Sequence, residues 1–330
     1  MRRAALLSTS IAILAATPSA AHGQPAASPA TTAPAAVQTQ MTLGVDRIGK
    51  HATVLVGDKI HVRGTVAAYV PGERVTVRFY SNAKKVRAKT KTLSPAAGGA
   101  GSFEFSYRPD RLGTLTVRAF HAATETLGEL RATGGKVDVI PRSVTRDADK
   151  RAIGALQRRL SALGYVTGDK GSFDARTGRA VLAFRKVTGM RRTSEASRPV
   201  MRRIAAGRGR FKIRKPDHGR HIEADLTRQV IALIDGGRVR RIYPISSGAP
   251  STPTILGSFR VYQKSYGTNA KGMVHSAYFI GGYATHGFAS VPVYPASHGC
   301  LRVPISDALN LYKWIRVGTP VDVYHGPKPK

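Results

Sequence analysis

One cysteine, one tryptophan and few acids mark this 330-residue chain. A lone Cys excludes an internal disulfide framework and any zinc site built on several thiolates. No apolar run approaches the roughly 18 residues of a membrane-spanning helix, so no internal span is expected. Only 19 Asp and Glu stand against 52 Lys and Arg, a formal charge of +33. What is present, 42% hydrophobic residues with 34 Gly and 19 Pro, describes a loop-rich globular protein and neither a disordered nor a collagenous one. The length allows about two domains, more if some are small.

Arg2 and Arg3 precede an uncharged apolar stretch from 4 to 16, with small residues at Ser19 and Ala21. Residues 1–21 therefore read as a secretory signal, because the stretch has no polar face to make it an amphipathic helix. Residues 22–40, made of Ala, Pro, Thr and Gln, read as a flexible linker. Export places the protein at the cell envelope, outside the cytoplasmic membrane. There its charge, spread along the chain, meets anionic envelope polymers and lipid headgroups, and nucleic acid is not an expected partner.

Three bodies follow. Residues 41–140 carry alternating runs at 59–66, 74–80, 103–107 and 115–120 with Gly and Pro between them, the pattern of an immunoglobulin-like β-sandwich. Val75, Val77 and Phe79 should share its buried face. His51, His61 and His121 are scattered there and read as surface histidines. Residues 146–207 switch to helical spacing at Ile153, Leu156, Leu160 and Leu163, then at Val181, Phe184 and Val187. Gly164 suits a left-handed C-terminal cap and Asp174 an N-cap; a short helix near 195–205 completes a small three-helix domain. A basic linker, 208–219, leads to a β-rich domain over 220–330. In it Ile222, Ala224 and Leu226 alternate, 230–234 is a continuous apolar strand, and Asp235-Gly236-Gly237 turns a hairpin. Runs at 239–245, 257–262 and 321–324 add strands. One helix, 305–316, should turn Leu309, Tyr312 and Trp314 inward.

The chemistry gathers in the last body, around His286-Gly287 and Ser297-His298-Gly299-Cys300-Leu301-Arg302. A free thiol in an exported protein invites oxidation unless used or buried, and small, polar neighbours suggest that Cys300 is exposed. Its thiol needs a base to become nucleophilic at neutral pH. His286, fourteen residues upstream, can return opposite the thiol, whereas His298 is constrained by local geometry and takes a supporting role. With no acid before Asp307, a backbone carbonyl is the expected partner that fixes the His286 tautomer. The amides of Gly299 and Cys300 could converge on an oxyanion. Two other readings compete. His275, His286, His298 and Cys300 are a chemically legal zinc set for a peptidase, although H-E-x-x-H is absent. A wall-binding protein without catalysis is the other.

His286-Gly287, a spacer, then Ser297-His298-Gly299-Cys300-Leu301-Arg302 resembles the signature of the YkuD-type L,D-transpeptidases. The likeness extends over about 220–324 and takes in Tyr243-Pro244-Ile245-Ser246-Ser247-Gly248 and Thr252-Pro253-Thr254. The resemblance implies Cys300 as nucleophile, His286 as general base, the Gly287 carbonyl as its orienter, and Arg302 lining the site. It also implies a β-rich catalytic fold, no cofactor and no metal. Its substrate class is peptidoglycan stem peptides: Cys300 displaces D-Ala from a diamino acid, and a second stem's amine resolves the thioester as a 3-3 crosslink. Hydrolysis and protein-to-wall attachment use the same residues, and carbapenem-like β-lactams would acylate Cys300. Ser297, Tyr283 and Tyr262 are the further substrate-binding candidates, with 262–283 read as a loop over the donor. The stretch from Leu156-Gln157 through Gly171-Ser172-Phe173 to Phe184 resembles a helical peptidoglycan-binding domain.

Overall fold

The computed structural model describes residues 39–46, 48 and 52–327. The expected signal, most of the first linker and His51 lie outside them. Among the described residues the chain is mostly β, with four α-helices, none long and apolar enough to cross a membrane.

The first body has ten strands: β1 (Gly44–Asp46), β2 (Thr53–Leu55), β3 (Ile60–Val66), β4 (Arg74–Ser81), β5 (Lys84–Thr92), β6 (Ser94–Pro95), β7 (Gly101–Tyr107), β8 (Gly113–His121), β9 (Leu130–Thr133) and β10 (Val137–Ile140). They form two sheets, β1-β3-β7-β6 and β2-β10-β8-β4-β5 with β9 beside β8. Val75, Val77 and Phe79 of β4 are fully buried and join Val62, Phe103 and Phe105 of the facing sheet in one core. Each such side chain contributes roughly 1.5–3 kcal/mol of burial. His61 and His121 are not surface histidines. Both are buried, His61 against Glu104 at 2.6 Å and His121 against Glu73 at 2.8 Å; a carboxylate reached across 43 and 48 residues is invisible to local pattern. Nor is the positive charge evenly spread. Edge strand β5 carries Lys84, Lys85, Arg87, Lys89 and Lys91, all exposed except the half-buried Lys89.

Helices α1 (Lys150–Ala162), α2 (Ala175–Val187) and α3 (Arg198–Ala205) follow. Asp149 caps α1 through the amides of Arg151 and Ala152, and Asp174 caps α2 through that of Thr177, satisfying donors that a helix start leaves open. Gly164 adopts φ 92° just past α1. The third helix starts later than its spacing suggested, because Pro199 fits only a first turn.

The last body holds β11 (His221–Asp225), β12 (Val230–Asp235), β13 (Arg238–Pro244), β14 (Gly257–Arg260), β15 (Gln263–Thr268), β16 (Val274–Ile280), β17 (Tyr283–Phe288), β18 (Leu301–Pro304), helix α4 (Ile305–Trp314) and β19 (Pro320–Tyr324). Two sheets result, β13-β12-β11-β19-β14 and β15-β16-β17-β18. The expected donor loop at 262–283 is instead the antiparallel pair β15–β16. In α4 the buried face is Ala308 and Leu311, continued by Ile315, while Leu309, Tyr312 and Trp314 lie at its margins.

The apolar run of β12 has a specific cause. Ile231 and Leu233 enter the core between the two sheets, whereas Val230, Ala232 and Ile234 enter a second core shared with all three helices. In β11, Ile222 and Ala224 face the first of these cores. The intervening His221, Glu223 and Asp225 are buried too, because residues 208–219 pack over that face: Glu223 accepts the amides of Arg214 and Lys215. Arg176 and Arg179 of α2 also pair with buried Asp307 at 2.8 and 3.1 Å. Residues 219–330 produced alone would expose Val230, Ile234 and Ile242. At roughly 1.5–3 kcal/mol each, that loss rivals the 5–15 kcal/mol stability of a whole domain. We expect this fragment to melt well below a 143–330 fragment by circular dichroism; coincident melts would refute the shared core.

Candidate active site

Leu301 and Val303 point into the core between the sheets. Side chains alternate along a strand, so Arg302 and, one step before β18, Cys300 face the other way. The parallel register sets His286 of β17 opposite Arg302, which puts His286 and Cys300 on the same outer face. Gly287 lies between strand and helix: a Cβ there would come within 2.6 Å of Ala308, so glycine lets α4 approach β17.

His286 is buried, and its Nδ1 sits 2.9 Å from the Gly287 carbonyl. Donation to that carbonyl leaves Nε2 as the proton acceptor. Burial pushes the imidazole pKa down, opposed by the Gly287 hydrogen bond and assisted by the Arg302 charge. Cys300 is half-buried, not exposed as its neighbours suggested, and its thiol points at the Gly282 carbonyl 3.6 Å away. Burial pushes the thiol pKa up, against the backbone of Ala284 and the charges of Arg302 and Lys271. Both shifts favour the uncharged forms, thiol and neutral imidazole.

The turn before Cys300 is held from below. Ser297, expected at the substrate, is buried instead; its hydroxyl accepts the Gly299 amide at 3.0 Å and donates to the Cys300 carbonyl at 2.6 Å. That engagement removes the Gly299 amide from an oxyanion site and leaves the Cys300 amide. Gly299 takes φ 112° with the Tyr283 ring against it, where a Cβ would lie 2.1 Å from a ring carbon. Thr254 and Thr252, to which sequence reading gave no role, donate to the carbonyls of Gly299 (2.7 Å) and Ser297 (2.9 Å). Threonines beside a Pro read as an ordinary turn, and nothing local says which carbonyls they reach.

Arg302 lies over the Phe288 ring, 4.1 Å from its centroid, and donates to Ala296 at 3.2 Å. Tyr262 is exposed and bonds the Gly281 carbonyl, in the turn whose next carbonyl faces the thiol. His298 is exposed. His275 packs on Tyr266 and Tyr312. Among the described residues no group of three or more His, Cys, Asp or Glu converges as a ligand set, so the four-residue zinc arrangement does not form.

A buried, tautomer-fixed imidazole sharing a sheet face with a half-buried thiol is the equipment of cysteine acyl transfer. Residues 219–323 match the family model of the L,D-transpeptidase catalytic domain, YkuD. The solved L,D-transpeptidase of Xylanimonas cellulosilytica DSM 15894 is 34% identical, over 56% of this chain and 98% of its own, with a TM-score of 0.52. That of Stackebrandtia nassauensis is 21% identical over 56% and 98%, TM-score 0.35. The catalytic domain of the Enterococcus faecium enzyme is 28% identical over 32% and 98%, TM-score 0.29. No curated protein matches. The chain belongs to the L,D-transpeptidase family.

Proposed function

We propose that this protein is a peptidoglycan L,D-transpeptidase with Cys300 as nucleophile and His286 as general base. The observation that carries the reading is the His286 imidazole, buried and tied through Nδ1 to the Gly287 carbonyl at 2.9 Å, on the sheet face that carries Cys300. Nε2 takes the thiol proton as Sγ attacks the carbonyl between the diamino acid and D-Ala. The Cys300 amide faces the oxyanion, and the imidazolium returns the proton to the departing D-Ala amine. The side-chain amine of a second stem then attacks the thioester and frees the thiol. Arg302 and Lys271 supply positive charge near the sulfur, Tyr283 and Tyr262 flank the turn over it, and Ser297 holds the turn. His298, exposed beside Cys300, is placed to meet the substrate.

The same proposal covers the rest of the chain. Residues 41–140 form an immunoglobulin-like sandwich, which the two-sheet core supports, and 146–207 a peptidoglycan-binding-like helical domain, which its sequence resemblance supports. The residue 1–21 signal pattern supports action in the envelope, where anionic polymers would retain a +33 chain. Purified protein incubated with a tetrapeptide muropeptide should release D-Ala and give dimers of 3-3 mass. Tripeptide monomer alone would make it an L,D-carboxypeptidase, and no D-Ala release would refute the reading.

A further inference from the structure

Lys186 lies in the last turn of α2 and is 2% exposed. Burying an ammonium costs several kcal/mol, and an apolar residue of the same length would pack there without that cost. Stability alone gives no reason for a lysine. Its Nζ donates to two backbone carbonyls of the catalytic body, Gln229 at 3.1 Å and Ile245 at 3.0 Å.

Both acceptors lead toward the cysteine: Ile245 adjoins Ser246, whose backbone pairs with that of Arg302 at 3.1 and 3.0 Å. Gln229 stands at φ 55°, and its side-chain amide grips Ser247 twice, donating to Oγ at 2.6 Å and accepting the amide at 3.0 Å. The Ser247 carbonyl receives the amides of Ala296 and Ser297, each at 2.9 Å. Ser297 then holds Gly299 and Cys300 as described above. A second cation of the helical body acts independently. Arg192, just after α2, donates to the carbonyls of Val293 (2.8 Å) and Thr227 (2.9 Å). Val293 enters the segment that ends in Ser297, and Thr227 sits in the turn that contains Gln229.

We propose that Lys186 and Arg192 are positioning residues: the helical body braces the turn that carries Cys300, so acyl transfer requires it whether or not it binds the wall. The proposal rests on the cysteine acyl-transfer reading. Main-chain carbonyls can be pulled into place only by a donor that does not itself move, and α2, buried in the core that β12 shares with α1, α2 and α3, provides one. A misplacement of about 1 Å at a reacting group can cost 10²-fold in rate.

The test uses the full chain with Lys186→Met, which keeps the stem and removes the donors, and Arg192→Met. For each, the melt, kcat and KM for D-Ala release from a tetrapeptide muropeptide, and the rate of Cys300 alkylation by iodoacetamide are measured. We expect melts close to wild type, kcat lowered about tenfold or more, KM changed less than about twofold, and an altered alkylation rate, the pattern of an interaction realised in the transition state. Folded variants with wild-type kcat and thiol reactivity would overturn the proposal. So would losses of activity that merely match the unfolded fraction. Should Lys186→Met fail to fold, Arg192→Met, which is partly exposed, decides the matter. Wild type inactive on the muropeptide would instead fault the acyl-transfer reading, while alkylation still reports the brace.

Discussion

Cys300→Ala should release no D-Ala at all, while its thermal melt stays near that of the wild type. The loss is complete because Cys300 is the chain's one thiol and the proposed nucleophile. The melt survives because the Cys300 side chain belongs to none of the buried clusters, and its polar contacts are weak ones, with the Gly282 carbonyl at 3.6 Å and the backbone of Ala284. Backbone holds on the turn pass through the Cys300 carbonyl, which alanine keeps. Cys300→Ser is a harsher test of the chemistry, since the oxygen fills the same place yet loses its proton far less readily. Intact-mass measurement after exposure to a carbapenem gives the matching readout: an adduct on wild type and none on either variant. Turnover retained in Cys300→Ala would remove the thioester route altogether.

His286→Ala should lower the rate by roughly 10²–10⁴, the range for loss of a general base, with a much smaller effect from His298→Ala. The two histidines differ in environment: His286 is buried with Nδ1 engaged, His298 is exposed. If His298→Ala proves the more damaging, the base is misassigned. The direction of the pKa shifts sets the pH profile. Because burial depresses the His286 pKa, the base stays neutral, and active, below the usual imidazole range near 6.5; activity fails only as pH falls through the lowered value. Because the thiol is raised, alkylation of Cys300 should keep climbing above the ordinary thiol range near 8.5 and show no plateau at neutral pH. The folded state also binds fewer protons at His286 than the unfolded chain does. Stability from this group is therefore full above about 6.5 and declines as pH falls below it. A plateau of alkylation rate from neutral pH would indicate a preformed ion pair and contradict this description.

Where local spacing determines conformation, the sequence is a sufficient guide. Val75, Val77 and Phe79, the caps at Asp174 and Gly164, and the hairpin at Asp235-Gly236-Gly237 all follow from rules acting within a few residues. That His286 and Cys300 share a sheet face follows from strand register, while the motif that singles them out is legible in the sequence because its residues have few uses other than chemistry. What escaped reading depends on contacts distant in sequence. His121 is buried because Glu73 lies across the sheet, and β11 is covered because a basic stretch folds back over it. Nothing within α2 reveals that the acceptors of Lys186 lie 43 and 59 residues away. A serine three residues from the cysteine reads as substrate contact, and nothing local reveals that its hydroxyl is engaged with the Gly299 amide and the Cys300 carbonyl. Gly-rich aromatic text suits both a loop and a bulged strand pair, so residues 262–283 do not announce β15 and β16.

Strand β5 has a consequence for how copies of this protein behave together. It ends its sheet, and an open strand edge is a template on which another chain can add. Lys89 bends across to the Ser106 carbonyl at 2.9 Å, and its neighbours project like charge along the same edge. A second molecule approaching in register would set lysine against lysine. If the chain is held on the wall as proposed, it would meet its own copies far more often than in free solution. Under such crowding the exposed Lys84, Lys85, Arg87 and Lys91 would oppose sheet-to-sheet fusion and keep neighbours apart.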